Sequence, residues 1–508
     1  MVNYAEIPVE ITQGEFTNTW ESLKQYQCPE WFRDAKFGVW AHWGPQCVPM
    51  YGDWYARNMY EEGSRCYQYH LEHYGHPSEF GYKDVIELWK AEKFDPDYLM
   101  GLYKRMGARF FVSMGVHHDN FDLWDSRHHS WNAVNHGPRR DIVGEWKKAA
   151  EKYGLRFGVS EHLERSYSWF ATNKGADKEG RWAGVPYDGN DPAYRELYLD
   201  NSLEDSNCAY PRNPSPAFVE NFYKRIKDLV EHYDPDWLYS DGGVPFEEVG
   251  RAMVANFYNH NMAQHNGKLE AAYFAKDINH LFPDLYHGEY VEGACLLDLE
   301  RTLSGEIRRE PWQTDTCIGN WFYDATCTYK TAETVLQQMV DVVSKNGTFL
   351  LSIPLKPDGK LDEQEERIIG DITAWMDVNG EAIFETRPYD HYGEGPSAEG
   401  ENRENVQELV CTREDFRFTR KGNALYAICL NAPQDGKLTL RSIGKIKNQV
   451  EEISVLGSPS PVKYEWKGTE LTIQYQAPQV PLPLHTVKLL LKTRHGRTEG
   501  SLPYTVGR

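Results

Sequence analysis

Two carboxylates and three histidines carry the chemistry that can be read from this chain. Asp241 closes the stretch Tyr233-Asp234-Pro235-Asp236-Trp237-Leu238-Tyr239-Ser240-Asp241-Gly242-Gly243, a Pro-marked turn, a short strand over 236–240 and a carboxylate at its end. Gly-Gly lets the backbone turn sharply and leaves the Asp241 side chain uncrowded. Taken alone, Asp-Gly is an ordinary turn or helix cap. His42 lies near the end of the apolar run 36–44, and His117-His118 follow the apolar run 109–116. A lone strand histidine is more often a hydrogen-bonded core residue. Adjacent histidines on a regular strand point to opposite faces, so His117 and His118 are not expected to ligate one metal. Two imidazoles at a strand end can instead hydrogen-bond sugar hydroxyls. Glu300 follows the apolar run 295–299. Alone it reads as a surface carboxylate. Paired with a strand-end Asp in an aromatic-rich barrel, it is the second carboxyl that retaining glycoside hydrolysis requires.

These residues meet only if the chain brings its strand ends together. Strand-like runs at 36–44, 109–116, 155–159, 236–240, 269–274, 295–299 and 348–353 alternate with helix-like runs at 98–106, 141–153, 217–232, 248–259, 331–344 and 363–378. That rhythm predicts an α/β fold, a (β/α)8-like (TIM-type) barrel, whose strand C-termini share one mouth. Residues 1–30 read as a polar helical lead-in, 52–60 as an aromatic-rich loop, and 171–216 as a long loop over one face. Past 387 the pattern changes to short strands at 416–419, 424–430, 437–443, 462–466, 471–475 and 487–493. The expectation is a barrel over 1–386 and a C-terminal β-sandwich over 387–508.

The composition narrows the class. The 508 residues carry a net charge of −21, which argues against nucleic acid or an anionic membrane as partner. Aromatics make up 14%, enough to fill a core and also to line a sugar site. Nine cysteines without a CxxC pair suggest free thiols, neither a disulfide framework nor a zinc site. No apolar h-region stands in 1–10 and no apolar run approaches 18 residues, so the chain reads as soluble, cytoplasmic or secreted with its signal removed. Its oligomeric state is left open.

The order and spacing of several segments resemble the α-L-fucosidases of glycoside hydrolase family 29 over roughly 30–390. They are Lys36-Phe37-Gly38 with His42-Trp43-Gly44, Asp53-Trp54-Tyr55, His117-His118-Asp119, Leu123-Trp124-Asp125-Ser126, 141–158, 235–243, Val343-Ser344-Lys345-Asn346-Gly347 and Pro357-Asp358-Gly359. The resemblance implies a retaining exo-glycosidase that releases α-linked L-fucose from fucosylated oligosaccharides or glycoconjugates, with no metal or organic cofactor. It places Asp241 as nucleophile and Glu300, twelve residues before Trp312, as acid/base. It implies that His42, Trp54, His117 and His118 hold the sugar, with Trp321, or Phe322 in its place, as the wall facing the C5 methyl. Asp53 stands where many members have Glu, so its reach is shorter. Ser160-Glu161-His162 stands where relatives often carry Tyr or Ser, and His162 is taken as a sugar contact. A further binding-site Arg of the family has no evident counterpart.

Alternatives remain beside this reading. They are a retaining barrel glycosidase acting on another α-glycoside such as an α-galactoside, a catalytically silent carbohydrate-binding protein, and a metal hydrolase using the histidines. Glu289, Glu292 and Glu306 compete with Glu300 as the acid. Arg301 is expected on the opposite strand face from Glu300. The β domain is read as structural support, with a lectin-like role as the alternative.

Overall fold

In the computed structural model, which describes residues 2–398, 409–433 and 435–492, eight parallel strands close into a barrel in chain order. They are β1 (Phe37–Ala41), β2 (Phe110–Val116), β3 (Arg156–Glu161), β4 (Trp237–Ser240), β5 (Ala272–Ala275), β6 (Leu296–Asp298), β7 (Trp312–Cys317) and β8 (Gly347–Ser352). β1 closes the ring by pairing with both β2 and β8. Nearly every strand residue is buried, as a parallel sheet covered on both faces demands. The outer layer includes α1 (Pro96–Arg105), α2 (Ile142–Lys152), α3 (Pro216–Tyr233), α4 (Glu248–Gln264), α5 (Ala332–Ser344) and α6 (Glu363–Asn379). Their starts follow capping chemistry. Asp141 caps α2 through the Gly144 N–H at 2.9 Å, and Ser215 caps α3 through the Phe218 N–H at 3.2 Å, with Pro216 at the first helical position.

Two connections depart from the repeat. β5 to β6 and β6 to β7 contain no helix among the described residues. The β5–β6 segment instead runs past the C-terminal end of the barrel, where it borders the mouth.

Among the described residues of the 1–30 lead-in, the only helical turns are a 3-10 turn at Tyr4–Glu6, one short turn at Trp20–Leu23 and the start of the helix Glu30–Ala35. Its backbone is satisfied from outside. Asn256 of α4 accepts from the Thr12 N–H at 2.9 Å, and Asn259 accepts from the Phe16 N–H at 2.9 Å while donating back to both carbonyls. A polar segment without an apolar stripe gains nothing by helix formation, and here tertiary partners satisfy the groups instead.

The C-terminal strands form two antiparallel sheets. One has the order β13-β16-β11-β10-β9 and the other β12-β15-β14. The strands are β9 (Arg387–Glu394), β10 (Phe416–Lys421), β11 (Ala424–Cys429), β12 (Lys437–Leu440), β13 (Val450–Val455), β14 (Lys463–Lys467), β15 (Glu470–Gln474) and β16 (His485–Leu491). The sequence-read strand 487–493 extends to Thr493, which lies outside the described residues. Alternation on β11 fixes the packing. Leu425, Ala427 and Cys429 enter the core between the sheets, while Ala424, Tyr426 and Ile428 join the core shared with the barrel. Arg417 of β10 is buried against the barrel and donates to Asp341 of α5 at 2.6 Å; Lys345 reaches the same carboxylate at 2.7 Å.

No helix among the described residues is long and apolar enough to cross a membrane, and no disulfide is formed among them.

Candidate active site

A cavity of about 850 Å³ opens at the C-terminal ends of the strands. His42, Asp53, Trp54, His117, His118, His162, Asp241, Glu300 and Trp321 all line it. These nine residues therefore lie on one wall or another of a single space. Phe322 does not line it; that ring is buried and packs edge-on against His117 at 5.1 Å. Among the competing acids, Glu292 and Glu306 line a different cavity beside Arg33, Leu296 and Trp312, near the N-terminal ends of β6 and β7. Glu289 pairs with the N-terminus of α4 through Arg251 at 3.5 Å.

Asp241 is the most heavily bonded side chain in the cavity. Its Oδ1 accepts from the Tyr239 hydroxyl at 3.1 Å and from Lys276 Nζ at 2.6 Å. Its Oδ2 accepts from Arg165 at 2.5 Å, with His118 Nε2 at 3.2 Å and His162 Nδ1 at 3.6 Å. Burial alone would raise this carboxyl, but the Lys276 and Arg165 charges outweigh it and hold Asp241 well below the usual carboxylate range. Lys276 Nζ also donates to Glu300 Oε2 at 2.6 Å. The two carboxyls thus share one ammonium.

His42, His117 and His118 are set as neutral hydrogen-bonding groups. Burial holds His42 and His117 well below the ordinary imidazole value and brings His118 to about 3. His42 Nδ1 lies 2.8 Å from the Ser352 hydroxyl at the end of β8, and Gln46 donates to His117 Nδ1 at 2.8 Å. His118 Nδ1 donates to the His162 carbonyl at 2.8 Å. Alternation does not separate His117 from His118, because β2 ends at Val116 and both follow it. Their rings are 4.4 Å apart, and nitrogens of His117, His118 and His162 come within 4.8 Å of one another, close enough to share a cation. Arg301 likewise escapes alternation. β6 stops at Asp298, Arg301 has φ 51°, and it lines the same cavity as Glu300.

Asp53 accepts from the Trp54 N–H at 2.8 Å, and burial, reinforced by the Glu300 and Asp241 charges, pushes it up to about 7. Trp54 and Trp321 supply aromatic wall. Trp321 tilts against His42 with centroids 4.7 Å apart.

The family models agree with this architecture. The alpha-L-fucosidase model matches residues 4–381 and the alpha-L-fucosidase C-terminal domain model residues 411–490. The chain belongs to the alpha-L-fucosidase family. It is 26% identical over 486 residues to the human plasma alpha-L-fucosidase, covering 93% of this chain and 89% of that one. It is 25% identical to an alpha-L-fucosidase of Branchiostoma floridae, covering 91% and 92%. Its fold is similar to that of a Thermotoga maritima alpha-fucosidase solved in complex with fucose, with a TM-score of 0.71 at 23% identity over 94% of this chain and 100% of that one.

Sequence reasoning missed both cations on Asp241. Lys276 directly follows β5, so the strand-end rule that singled out Asp241 could have found it. Arg165 carries no such signal, since it sits in a 3-10 turn four residues past β3. Asp298 and Asp315, buried beside each other, were also passed over. Both line the cavity, and burial raises Asp298 to about 7 and Asp315 well above the carboxylate range.

Proposed function

We propose that this protein is a retaining exo-α-L-fucosidase acting by double displacement on fucosylated glycans. The observation that carries the reading is the shared ammonium. Asp241 Oδ1 and Glu300 Oε2 each lie 2.6 Å from Lys276 Nζ, so two bond lengths end to end cap the separation of these two oxygens at about 5.2 Å, compatible with the close pair of a retaining enzyme and short of the ~6.5–9.5 Å that an inverting enzyme keeps for its water. Asp241, ionised and held by hydrogen bonds on both oxygens, attacks the anomeric carbon. Glu300, partly exposed at the mouth, gives a proton to the departing oxygen and then takes one from the incoming water. His42, His117, His118 and His162 offer nitrogens to the hydroxyls, and Trp54 and Trp321 offer an apolar wall to the C5 methyl.

The test is hydrolysis of an aryl α-L-fucoside followed by NMR from the first turnover. The α-anomer of fucose should form first, and Asp241→Asn should abolish turnover in a protein that still folds. First formation of the β-anomer, or a persistently active Asp241→Asn variant, would overturn the reading. The cluster of three histidines favours one rival, a metal-dependent hydrolase. Under that rival, chelation abolishes turnover; under double displacement it leaves turnover intact.

A further inference from the structure

The segment between β5 and β6 is built as a fixed wall of the cavity, and one of its side chains has no hydrogen-bond partner among the described residues. Its stem is anchored to the turn after Asp241. Gly243 N–H donates to the His287 carbonyl at 2.6 Å, and Val244 and Glu289 exchange hydrogen bonds at 2.7 and 3.0 Å. Asn279 ties the segment to itself, donating to the Gly288 carbonyl at 2.6 Å and accepting from the His287 N–H at 2.9 Å. His287 is therefore held in place through its backbone. Its side chain lines the cavity and is only 3% exposed, yet neither ring nitrogen has a hydrogen-bond partner among the described residues. A buried imidazole with both nitrogens unsatisfied costs free energy that a bound hydroxyl would recover.

The surroundings indicate where that hydroxyl comes from. The cavity's inner end is closed by buried Trp40, His42 and Tyr239. An exo-acting site takes the terminal sugar to that end, so the group attached to its anomeric carbon faces the rim. At the rim the same segment presents Leu281 and Phe282, 57% and 48% exposed and both lining the cavity, with the Phe282 ring 5.3 Å from that of His287. An aromatic face beside a hydrogen-bonding imidazole is how proteins grip a pyranose, the ring meeting its C–H face and the nitrogen its hydroxyl. Burial lowers His287 to about 4, so at neutral pH it offers one donor and one acceptor, which suits a hydroxyl and not a carboxylate.

Resting on the fucosidase reading, we propose that His287 and Phe282 form the subsite for the aglycone sugar, a hexopyranose to which fucose is linked, and that they contribute to the choice of linkage.

The experiment compares substrates that differ only in the aglycone. α-L-Fucosyl fluoride carries a single-atom leaving group and reports the fucose pocket alone. Fucosyl disaccharides linked α1,2 to galactose and α1,3, α1,4 or α1,6 to N-acetylglucosamine report both subsites. For the disaccharide the wild type prefers, His287→Ala should lower the ratio of its kcat/KM to that of the fluoride about tenfold, the loss of one neutral hydrogen bond. Phe282→Ser, at an exposed position that folding does not depend on, should lower the same ratio about three- to tenfold through lost ring contact. Inhibition by L-fucose, which fills only the inner pocket, serves as the internal reference. A loss shared equally by fluoride and disaccharide in both variants would overturn the proposal, and so would an unchanged ratio in both. Failure of the wild-type protein to cleave the fluoride at all would instead strike at the fucosidase reading, and the subsite would fall with it.

Discussion

Replacing Lys276 with methionine keeps a long side chain between Asp241 and Glu300 and removes its charge. Arg165 remains on Asp241 at 2.5 Å, so this carboxylate loses one of two flanking cations. An opposite charge at this range moves a carboxyl by about 1–3 pH units, or about 1.4–4 kcal/mol. In the wild type Asp241 is held well below the usual range, so its acid limb lies below about pH 3.9. The variant should move that limb upward by about 1–3 units. The sign follows from the proposed mechanism, in which Asp241 attacks as the carboxylate. The loss must therefore be larger at about pH 4 than at about pH 7, where the carboxyl remains ionised in both proteins. The assay is the pH profile of kcat/KM for an activated aryl α-L-fucoside. That leaving group needs no proton from Glu300, and kcat/KM reports ionisations of the free enzyme. An acid limb that stays in place, or a loss of equal size at every pH, would refute the claim that Lys276 holds Asp241 ionised.

Two further outcomes are expected. Glu300→Ala should slow fucosides with poor leaving groups about 10²–10⁴-fold while sparing activated aryl fucosides in the first step, and azide should partly restore turnover as α-fucosyl azide; equal losses on both substrates without azide rescue would move the acid elsewhere. Asp341→Asn should cost about 3–5 kcal/mol at neutral pH, because it removes the anion that the buried Arg417 and Lys345 share. Burial works against the Asp341 charge, but those two cations outweigh it and lower the carboxyl, so its contribution exists above the unfolded value of about 3.9 and fades as pH falls through the folded one. Thermal unfolding of the two proteins should therefore converge in acid, and a gap that widens there would contradict the assignment.

Seven of the eight barrel strands were legible because parallel strands buried on both faces read as apolar runs. β7 was not. Its sequence Trp312-Gln313-Thr314-Asp315-Thr316-Cys317 is polar, yet all six residues are buried. These side chains are kept inside by partners that no local pattern discloses. Gln313 donates to Asp298 at 2.9 Å and accepts from Trp237 at 3.3 Å, and the Thr314 hydroxyl donates to the Thr302 carbonyl at 2.8 Å. β9 and β13 were missed for the opposite reason. Most of their residues are partly exposed, so neither carries a clear two-residue alternation. At the site, residues that directly end a strand could be found, because the barrel rule names their position. Arg165 and His287 sit in turns and loops whose course is set by tertiary contacts, and sequence spacing gives no coordinate for them.

Gly242-Gly243 illustrates how a correct local inference can stop short. The pair does permit a sharp turn after Asp241, but uncrowding that side chain is not what excludes larger residues. A Cβ on Gly243 would lie 2.5 Å from the Glu289 nitrogen, and one on Gly242 would lie 2.5 Å from the Tyr210 hydroxyl and 2.9 Å from the His287 carbonyl. Gly288, at φ +83°, approaches from the other side, with its own Cβ position 2.6 Å from the Gly243 carbonyl. The glycines let the β5–β6 segment lie directly on the turn after Asp241. Lys276 opens that segment and donates its own N–H to the Gly242 carbonyl at 2.6 Å, while His287 closes it on Gly243. These backbone contacts therefore fix three things together: the carboxylate proposed to attack, the ammonium beside it, and the wall proposed to meet the leaving sugar. Bulk at Gly243 should accordingly disturb aglycone choice as well as turnover, because the wall cannot shift without moving the turn on which it rests.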